Sequence, residues 1–227
     1  MRLSKIAAAA VCAALLSGAY AQSSRSERNV EDEYLNTIDD AIVTELANAN
    51  DRDNKLLALN MLESAANEGT ISADKHHALI SLAGEGVTSE SRMNGRIMNN
   101  FPDVRARACE ILAKVPSEES KDALKKITLI DNEPMVLSAA IRALGDIGIN
   151  DKDEVIETIA WTQHRLAVLN PTSSLAFDIL EAYEKLAPTV ENNKVMIASV
   201  TEIASNQRFV PSVRQKAQSL LKQLMNK

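Results

Sequence analysis

Apolar residues recur along the C-terminal half of the chain with the period of a helix. Four segments share apolar positions at offsets of 0, 4, 8 and 11 residues, which fall on one side of a helix with about 3.6 residues per turn. They are Val104, Ala108, Leu112, Val115; Val136, Ala140, Leu144, Ile147; Leu175, Ile179, Tyr183, Leu186; and Val213, Ala217, Leu221, Leu224. Successive segments begin 32, 39 and 38 residues apart, and a degenerate earlier copy aligns over residues 54–65. The spacing predicts a series of equivalent amphipathic helices.

A second helix is predicted after each of these helices. Ser117 and Asn150 can cap two of the second helices, because their side-chain oxygens accept hydrogen bonds from unpaired backbone amides. A proline precedes each first helix, at a place where a missing amide does little harm: Pro102, Pro134, Pro171 and Pro211. The residues predicted to face inward from the second helices are Leu124, Ile127, Val155, Ile159, Leu166, Val195 and Val200. Each unit is thus a helix pair, which buries its apolar face by stacking on its neighbours.

The segments Asp103–Ala108 and Val136–Gly148 resemble HEAT repeats, and most closely the short bacterial kind also found in phycobilisome lyases. The resemblance covers residues 102–227 well and residues 51–101 poorly, and Tyr183-Glu184 replaces the usual Leu-Gly of the third unit. It implies an all-α fold, an α-solenoid of about four to five HEAT-like helix pairs. It implies no activity, because function depends on a site. An unrelated helical bundle with a coincidental pattern is the alternative.

Residues 1–21 have the features of a cleaved secretory signal peptide. Arg2 and Lys5 are followed by an apolar run of 11 residues, Ile6–Leu16, and by the small-residue triplet Ala19-Tyr20-Ala21. A membrane-spanning helix needs about 20 apolar residues, so we expect cleavage rather than anchoring, and no later stretch predicts an integral membrane span. The sequence therefore predicts a periplasmic or secreted protein.

Charge and cysteine content narrow the classes of partner. Without the leader the chain holds 23 basic and 31 acidic residues, a net charge of −8. Such a surface repels polyanions, so nucleic acid is not expected as a partner. Cys109 is then the sole cysteine, so no intramolecular disulfide is expected.

The N-terminal part of the mature chain differs from the repeats. Residues 22–29 are polar and predicted to be disordered. Residues 30–101 are predicted to hold an N-terminal cap helix and a degenerate repeat with an irregular loop, before the HEAT-like repeats of residues 102–227. The apolar stripe of the cap helix, expected to face inward with acidic residues outside, is Leu35, Ile38, Ile42 and Leu46. An acidic docking helix is the alternative.

The two ends of the mature chain carry opposite charge. Residues 22–53 hold three basic and nine acidic residues, whereas residues 208–227 hold five basic residues and no acidic one. Head-to-tail self-association is therefore an electrostatic option, although exposed ion pairs contribute little and are screened by salt.

The chain shows no motif that marks catalysis. His76 and His77 are adjacent on a predicted helix, so they point about 100° apart and lack further ligands for a metal. Cys109 is predicted to pack as a small apolar residue. No catalytic residue, cofactor site or metal site is predicted, which favours a binding scaffold over an enzyme. The alternative is a small-molecule or chromophore-handling enzyme of the lyase-like HEAT group.

Two surfaces are candidates for binding another protein or an extracytoplasmic assembly. Residues 84–101 interrupt the repeat and contain turn signals such as Asn94-Gly95. The candidate contact residues there, which suit a carboxylate or a peptide backbone, are Arg92, Asn94, Arg96 and Asn99. An irregular third helix that fills space between repeats is the alternative for this segment.

The second candidate surface lies on the second helix that contains Val155. Trp161 and His164, with Val168, lie about 180° to 240° around this helix from its inward face. In HEAT stacks the second helices line the concave side, and tryptophan is enriched in interfaces. Burial of this stripe against a neighbouring helix pair is the alternative.

Overall fold

The computed structural model of the protein describes residues 30–169 and 171–226, so the predictions for residues 1–21 and 22–29 lie outside it. The described residues form ten α-helices and one short antiparallel hairpin. The helices are α1 (Val30–Asn48), α2 (Arg52–Glu68), α3 (Ala73–Ala83), α4 (Pro102–Leu112), α5 (Glu118–Ile130), α6 (Pro134–Ile147), α7 (Glu154–Leu169), α8 (Ser173–Leu186), α9 (Lys194–Ser205) and α10 (Pro211–Met225). The hairpin consists of β1 (Arg92–Met93) and β2 (Arg96–Ile97).

Two compact units divide the chain, residues 1–39 and residues 40–227. Of the first unit the structure describes residues 30–39, the N-terminal half of α1. No helix among the described residues is long and apolar enough to cross a membrane.

The second unit is an α-solenoid of two helical layers. In the first layer α2, α4, α6, α8 and α10 pack each against the next, and in the second layer α3, α5, α7 and α9 do the same. Consecutive helices alternate between the two layers, and the closest contacts between the layers join a second-layer helix to the first-layer helix that follows it, as in α3–α4, α5–α6 and α9–α10. The predicted all-α solenoid is confirmed.

The repeat register predicted from the sequence is also confirmed. Of the sixteen aligned apolar positions, Val115, Ile147 and Leu221 are half-buried and the rest are buried. The core runs through the whole stack as one cluster, from Val43 to Leu224. Because both layers contribute to it, no helix pair buries its apolar face alone.

The helix ends follow the expected local chemistry. Ser117 is the N-cap of α5 and its hydroxyl accepts from the backbone amide of Ser120 at 3.0 Å. Pro102, Pro134 and Pro211 each occupy the first turn of a helix. Asn150 stands before α7, where its Oδ1 accepts from Ile156 N at 3.4 Å.

Two predicted inward faces are wrong in part, although Val200 of α9 is buried as predicted and Leu46 of α1 packs against the core. On α1, Leu35 is 57% exposed and Ile38 and Ile42 are exposed as well, whereas Val43 and Ala47 are buried. On α9, Val195 is exposed and the adjacent Met196 is buried instead. Both helices carry apolar residues on more than one face, so periodicity alone cannot choose the face that packs.

Charged pairs link successive helices of the first layer along their outer side. Glu63 of α2 accepts from Arg107 of α4 at 2.9 Å, and the same pairing joins Glu184 of α8 to Lys216 of α10 at 2.8 Å. Lys185 also pairs with Asp146. These pairs are partly exposed, so each contributes little to the free energy of folding.

Candidate partner-binding surface

The segment that interrupts the repeat is a β-hairpin with a buried base. We call this base the foot; it consists of Glu85, Gly86 and Asn99. Its strands pair Arg92 with Ile97 and Met93 with Arg96. Asn94 and Gly95 form the turn with φ of 51° and 79°, as a type I′ turn requires, which is why Asn-Gly stands there. The hairpin tip, residues 92–98, is exposed throughout. The alternative of an irregular third helix is therefore wrong.

Asn99 belongs to the foot rather than to the exposed tip, which corrects its assignment as a contact residue. It is 7% exposed. Its Nδ2 donates to Glu85 Oε1 and to Ser89 O, both at 2.7 Å, and its Oδ1 accepts from Ser91 N at 2.8 Å. These bonds leave the side chain no free donor for a partner, and they tie the two ends of the segment together.

The foot is joined to two repeats by buried charge. Glu85 forms an ion pair with Lys55 of α2 at 3.1 Å, and its backbone oxygen accepts from Arg105 of α4 at 3.0 Å. Arg105 is 1% exposed and also donates to Asp131 Oδ2 at 2.7 Å and to Asn100 Oδ1 at 2.9 Å. Because these charges are paired and hydrogen-bonded, their burial is tolerated. Sequence reasoning noted Arg105 only as part of the repeat motif.

The two arginines of the hairpin differ in their surroundings. Arg92 is paired with Glu90, with Nη2 2.6 Å from Oε2. Arg96, although exposed, has no ion pair or side-chain hydrogen bond within the described part of the chain. Arg96 is thus the cation at the tip whose charge is free for a partner.

A groove lies between the hairpin and the connection from α5 to α6. Its volume is 430 Å³. The hairpin side contributes Gly86, Val87 and Asn100, and the other wall is residues 130–133. Gly86 is required at this place: its φ is 72°, and a Cβ there would stand 2.3 Å from Asn99 O. The close approach of Gly86 to the backbone of Asn99 therefore shapes both the foot and the groove.

The stripe on α7 lies beside the same connection. Trp161 is 52% exposed, so the predicted outward orientation is confirmed, and the Arg165 guanidinium stacks 5.0 Å from its ring centre. Arg165 also donates to Asp131 O at 3.0 Å, which holds α7 against the connection that walls the groove. His164 is exposed, with Nδ1 3.5 Å from Glu202 on α9.

The two candidate surfaces are therefore neighbours. We use the name loop edge for the hairpin tip, the groove and the stripe formed by Trp161, Arg165 and Val168. Large apolar side chains are exposed along it: Met93, Ile97, Met98, Leu129, Ile130, Trp161, Val168 and Leu169. Large apolar side chains are exposed elsewhere as well, for example Leu57, Phe177 and Val210, so the ordered hairpin rather than apolar exposure alone distinguishes the loop edge.

His76 and Cys109 are the residues whose side chains could bind a metal or take part in catalysis, and their surroundings do not favour either role. His76 Nε2 lies 2.8 Å from the hydroxyl of Ser120, which donates to Val115 O, so the pair joins α3 to α5. Burial lowers the pKa of His76 and raises that of the Cys109 thiol well above its usual range. A neutral thiol is a poor nucleophile. No group of three or more His, Cys, Asp or Glu residues in the described ranges is placed to hold a metal.

Comparison with known proteins identifies the repeats. Residues 96–170 match the family model for HEAT repeats. No curated protein and no solved structure matches the chain significantly. The matched range begins at strand β2 of the hairpin and includes helices α4 to α7. It thus contains one wall of the groove and the α7 stripe.

Proposed function

We propose that the chain, whose residues 96–170 match HEAT repeats, is an exported, non-enzymatic scaffold that binds another protein through the loop edge. The observation that carries the proposal is the hairpin. The same step in the chain, from a second-layer helix to the next first-layer helix, takes three residues between α5 and α6 and eighteen residues between α3 and α4. Three residues are enough for the helices to stack at the α5–α6 step, and long structured segments in compact domains are commonly functional.

The composition of the loop edge suits a protein partner. It combines the free guanidinium of Arg96 with exposed methionine and tryptophan side chains, residue types that are enriched at interfaces. The foot orders the hairpin before binding, so less conformational entropy is lost when a partner docks. We expect the partner to present an apolar surface with a carboxylate or backbone carbonyl opposite Arg96.

The alternative is a small-molecule or chromophore-handling enzyme of the lyase-like HEAT group. The groove has a volume within the usual range for small ligands. Cys109 does not suit covalent chemistry there, because burial raises the pKa of its thiol and the side chain is inaccessible. We therefore favour the scaffold. Head-to-tail self-association remains the alternative for the partner, although Lys216 already pairs with Glu184 of its own chain.

Photo-crosslinking in the native host tests where the partner binds. A photoreactive amino acid replaces Ile97 or Trp161 at the loop edge, or Gln215 on the exposed side of α10 as the control. Crosslinks to the same protein from both loop-edge positions and none from Gln215 are expected. Equal crosslinking from all three positions would contradict a defined surface. Sequencing the N-terminus of the mature protein tests export, with cleavage before Gln22 as the expected result.

Replacing Arg96, the cation at the hairpin tip, tests the proposed binding surface quantitatively. Arg96→Ala should weaken binding of the crosslinked partner by about tenfold or more, as loss of a charge-assisted hydrogen bond predicts. Its free energy of unfolding should stay within about 0.5 kcal/mol of the wild type, because the side chain is exposed. Lys222→Ala is the matched control, since Lys222 is also exposed, and it should bind normally. Normal binding by Arg96→Ala would remove the hairpin tip from the site.

A further inference from the structure

A buried carboxylate without a hydrogen bond faces a groove on the first layer of the stack. Asp178 of α8 is 6% exposed. Its Oδ2 has no hydrogen-bond partner within the described ranges, and its Oδ1 lies 3.8 Å from Arg142 Nη1, too far for a hydrogen bond. Buried carboxylates without such partners are rare, because desolvation strongly disfavours them.

Asp178 places an acid at a position where the other repeats carry a base or an alanine. Three residues align with Asp178 in the other repeats: Arg107 on α4, Ala139 on α6 and Lys216 on α10. Arg107 and Lys216 each form a close ion pair with a glutamate of the preceding first-layer helix, and Ala139 is buried. Alanine therefore satisfies the packing in the preceding repeat. Asp178 has only the 3.8 Å approach of Arg142 in place of such a close ion pair, so its carboxylate can accept hydrogen bonds from a donor outside the chain.

The surroundings of Asp178 define the charge of that donor. Arg142 lies between two carboxylates and donates to Glu110 Oε1 at 2.9 Å, so its guanidinium is already engaged. Two carboxylates and one guanidinium leave a net charge of −1 in the groove. Thr172, the N-cap residue of α8, makes no capping bond, and its buried Oγ1 has no partner among the described residues. The groove therefore offers acceptors to a cation.

The rest of the groove suits an alkyl chain. Its volume is 460 Å³, and Ala106, Pro134 and Met135 provide apolar lining, with Met135 exposed. Hydroxyl groups from Ser138 and Ser174 stand beside them. This lining accommodates methylene groups that end in a charged nitrogen.

We propose that this groove, lined by Glu110, Met135, Arg142 and Asp178, binds an alkylammonium cation. The ammonium group donates hydrogen bonds to the Asp178 carboxylate and is balanced by the net charge of the groove, while its methylene groups pack on Met135. The cation is carried by a lysine side chain of a polypeptide or by a free aliphatic amine. The site is separate from the loop edge and does not depend on the function proposed there.

Titrations with two cationic probes test the proposal. The probes are butylammonium and the blocked tripeptide acetyl-Ala-Lys-Ala-amide, and the uncharged control is the same tripeptide with norleucine in place of lysine. The readout is the NMR signal of the ¹³C-labelled Met135 methyl group. A saturable shift with a cationic probe and none with the norleucine peptide is expected. Tighter binding of the lysine peptide identifies a polypeptide ligand, whereas binding of butylammonium alone identifies a free amine.

Variants separate a ligand-binding carboxylate from a structural one. Asp178→Asn keeps the shape and should weaken binding of the cationic probe by about tenfold or more. Its melting temperature without ligand should equal or exceed that of the wild type, because a desolvated charge has been removed. Glu181→Gln changes the same charge on the same helix outside the groove lining and should bind within about twofold of the wild type.

Three results would overturn the proposal. The first is a Met135 signal that does not respond to either cation at millimolar concentration. The second is an Asp178→Asn variant that binds as tightly as the wild type. The third is a lower melting temperature of this variant than of the wild type without ligand. The last result would show that the carboxylate supports the fold.

Discussion

Asn99 offers the sharpest test of how the hairpin is held. Replacing it with alanine removes three hydrogen bonds, to Glu85, Ser89 O and Ser91 N. The bond to the buried Glu85 carboxylate contributes most, because hydrogen bonds to charged groups are worth about 1.5 to 3 kcal/mol and neutral ones about 1 kcal/mol. Ser91 is exposed, so water can replace its lost partner. We expect the ordered hairpin to lose about 2 to 4 kcal/mol.

Native-state hydrogen exchange measures this loss locally. Met98 N donates to Ser91 O at 2.8 Å and Gly86 N to Ser89 O at 3.1 Å, so both amides report whether the foot is closed. If their exchange is governed by the opening equilibrium, a loss of 2 to 4 kcal/mol speeds it by about 30-fold to several hundredfold. Asn60→Ala, a change at an exposed asparagine on α2, should leave both amides unchanged.

Amides in the repeats decide whether the effect stays in the hairpin. The amide of Leu144 in α6 should accelerate less than those of Met98 and Gly86, because Glu85 keeps its ion pair with Lys55. Wild-type exchange at Met98 and Gly86 in Asn99→Ala would refute the assignment of Asn99 as the tether. Equal acceleration at all three amides would show that the foot supports the whole stack.

Three further outcomes are expected. Leu144→Ala should lower the free energy of unfolding by about 2 to 5 kcal/mol in urea melts, because Leu144 is fully buried; a loss under about 0.5 kcal/mol would refute the register. Gly145→Ala should also destabilise, by about 1 to 3 kcal/mol in the same assay, since the added Cβ would lie 2.8 Å from Ala182 Cα and this outweighs the helix propensity of alanine. Stability should fall as pH drops below about 6.5, because burial lowers the pKa of His76 and the unfolded chain takes up the proton first; His76→Gln should flatten this part of the pH profile, and an unchanged profile would contradict it.

The repeats could be predicted from the sequence because their pattern is local and repeated. The apolar positions recur at the same offsets within each repeat. Val104, Ala140 and Ile179 are examples from three repeats, and all three are buried. The face of α1 could not be predicted in the same way. It carries Leu35 and Ile42 on one side and Val43 and Ala47 on another, and a terminal helix has fewer neighbours to decide between them.

The hairpin was only partly predictable for a different reason. Asn94-Gly95 is a strong turn signal, but strands of two residues are too short to show an alternating pattern. The role of Asn99 depends on Glu85, fourteen residues away, and on the approach of α2 and α4. No local pattern reports such contacts, so an asparagine in a polar segment looks the same whether it faces a partner or tethers the chain.

The foot of the hairpin and the register of the repeats depend on each other. Lys55 and Arg105 occupy the same position in successive repeats, one residue after the first aligned position, and both extend buried charge toward Glu85. A change at any of these three residues therefore alters both the hairpin and the packing of α2 and α4, and a resulting loss of binding would not identify a contact. Arg96 and Ile97 at the tip are exposed and lie outside this network. Within the hairpin segment, partner binding can thus be separated from folding by changes at the tip.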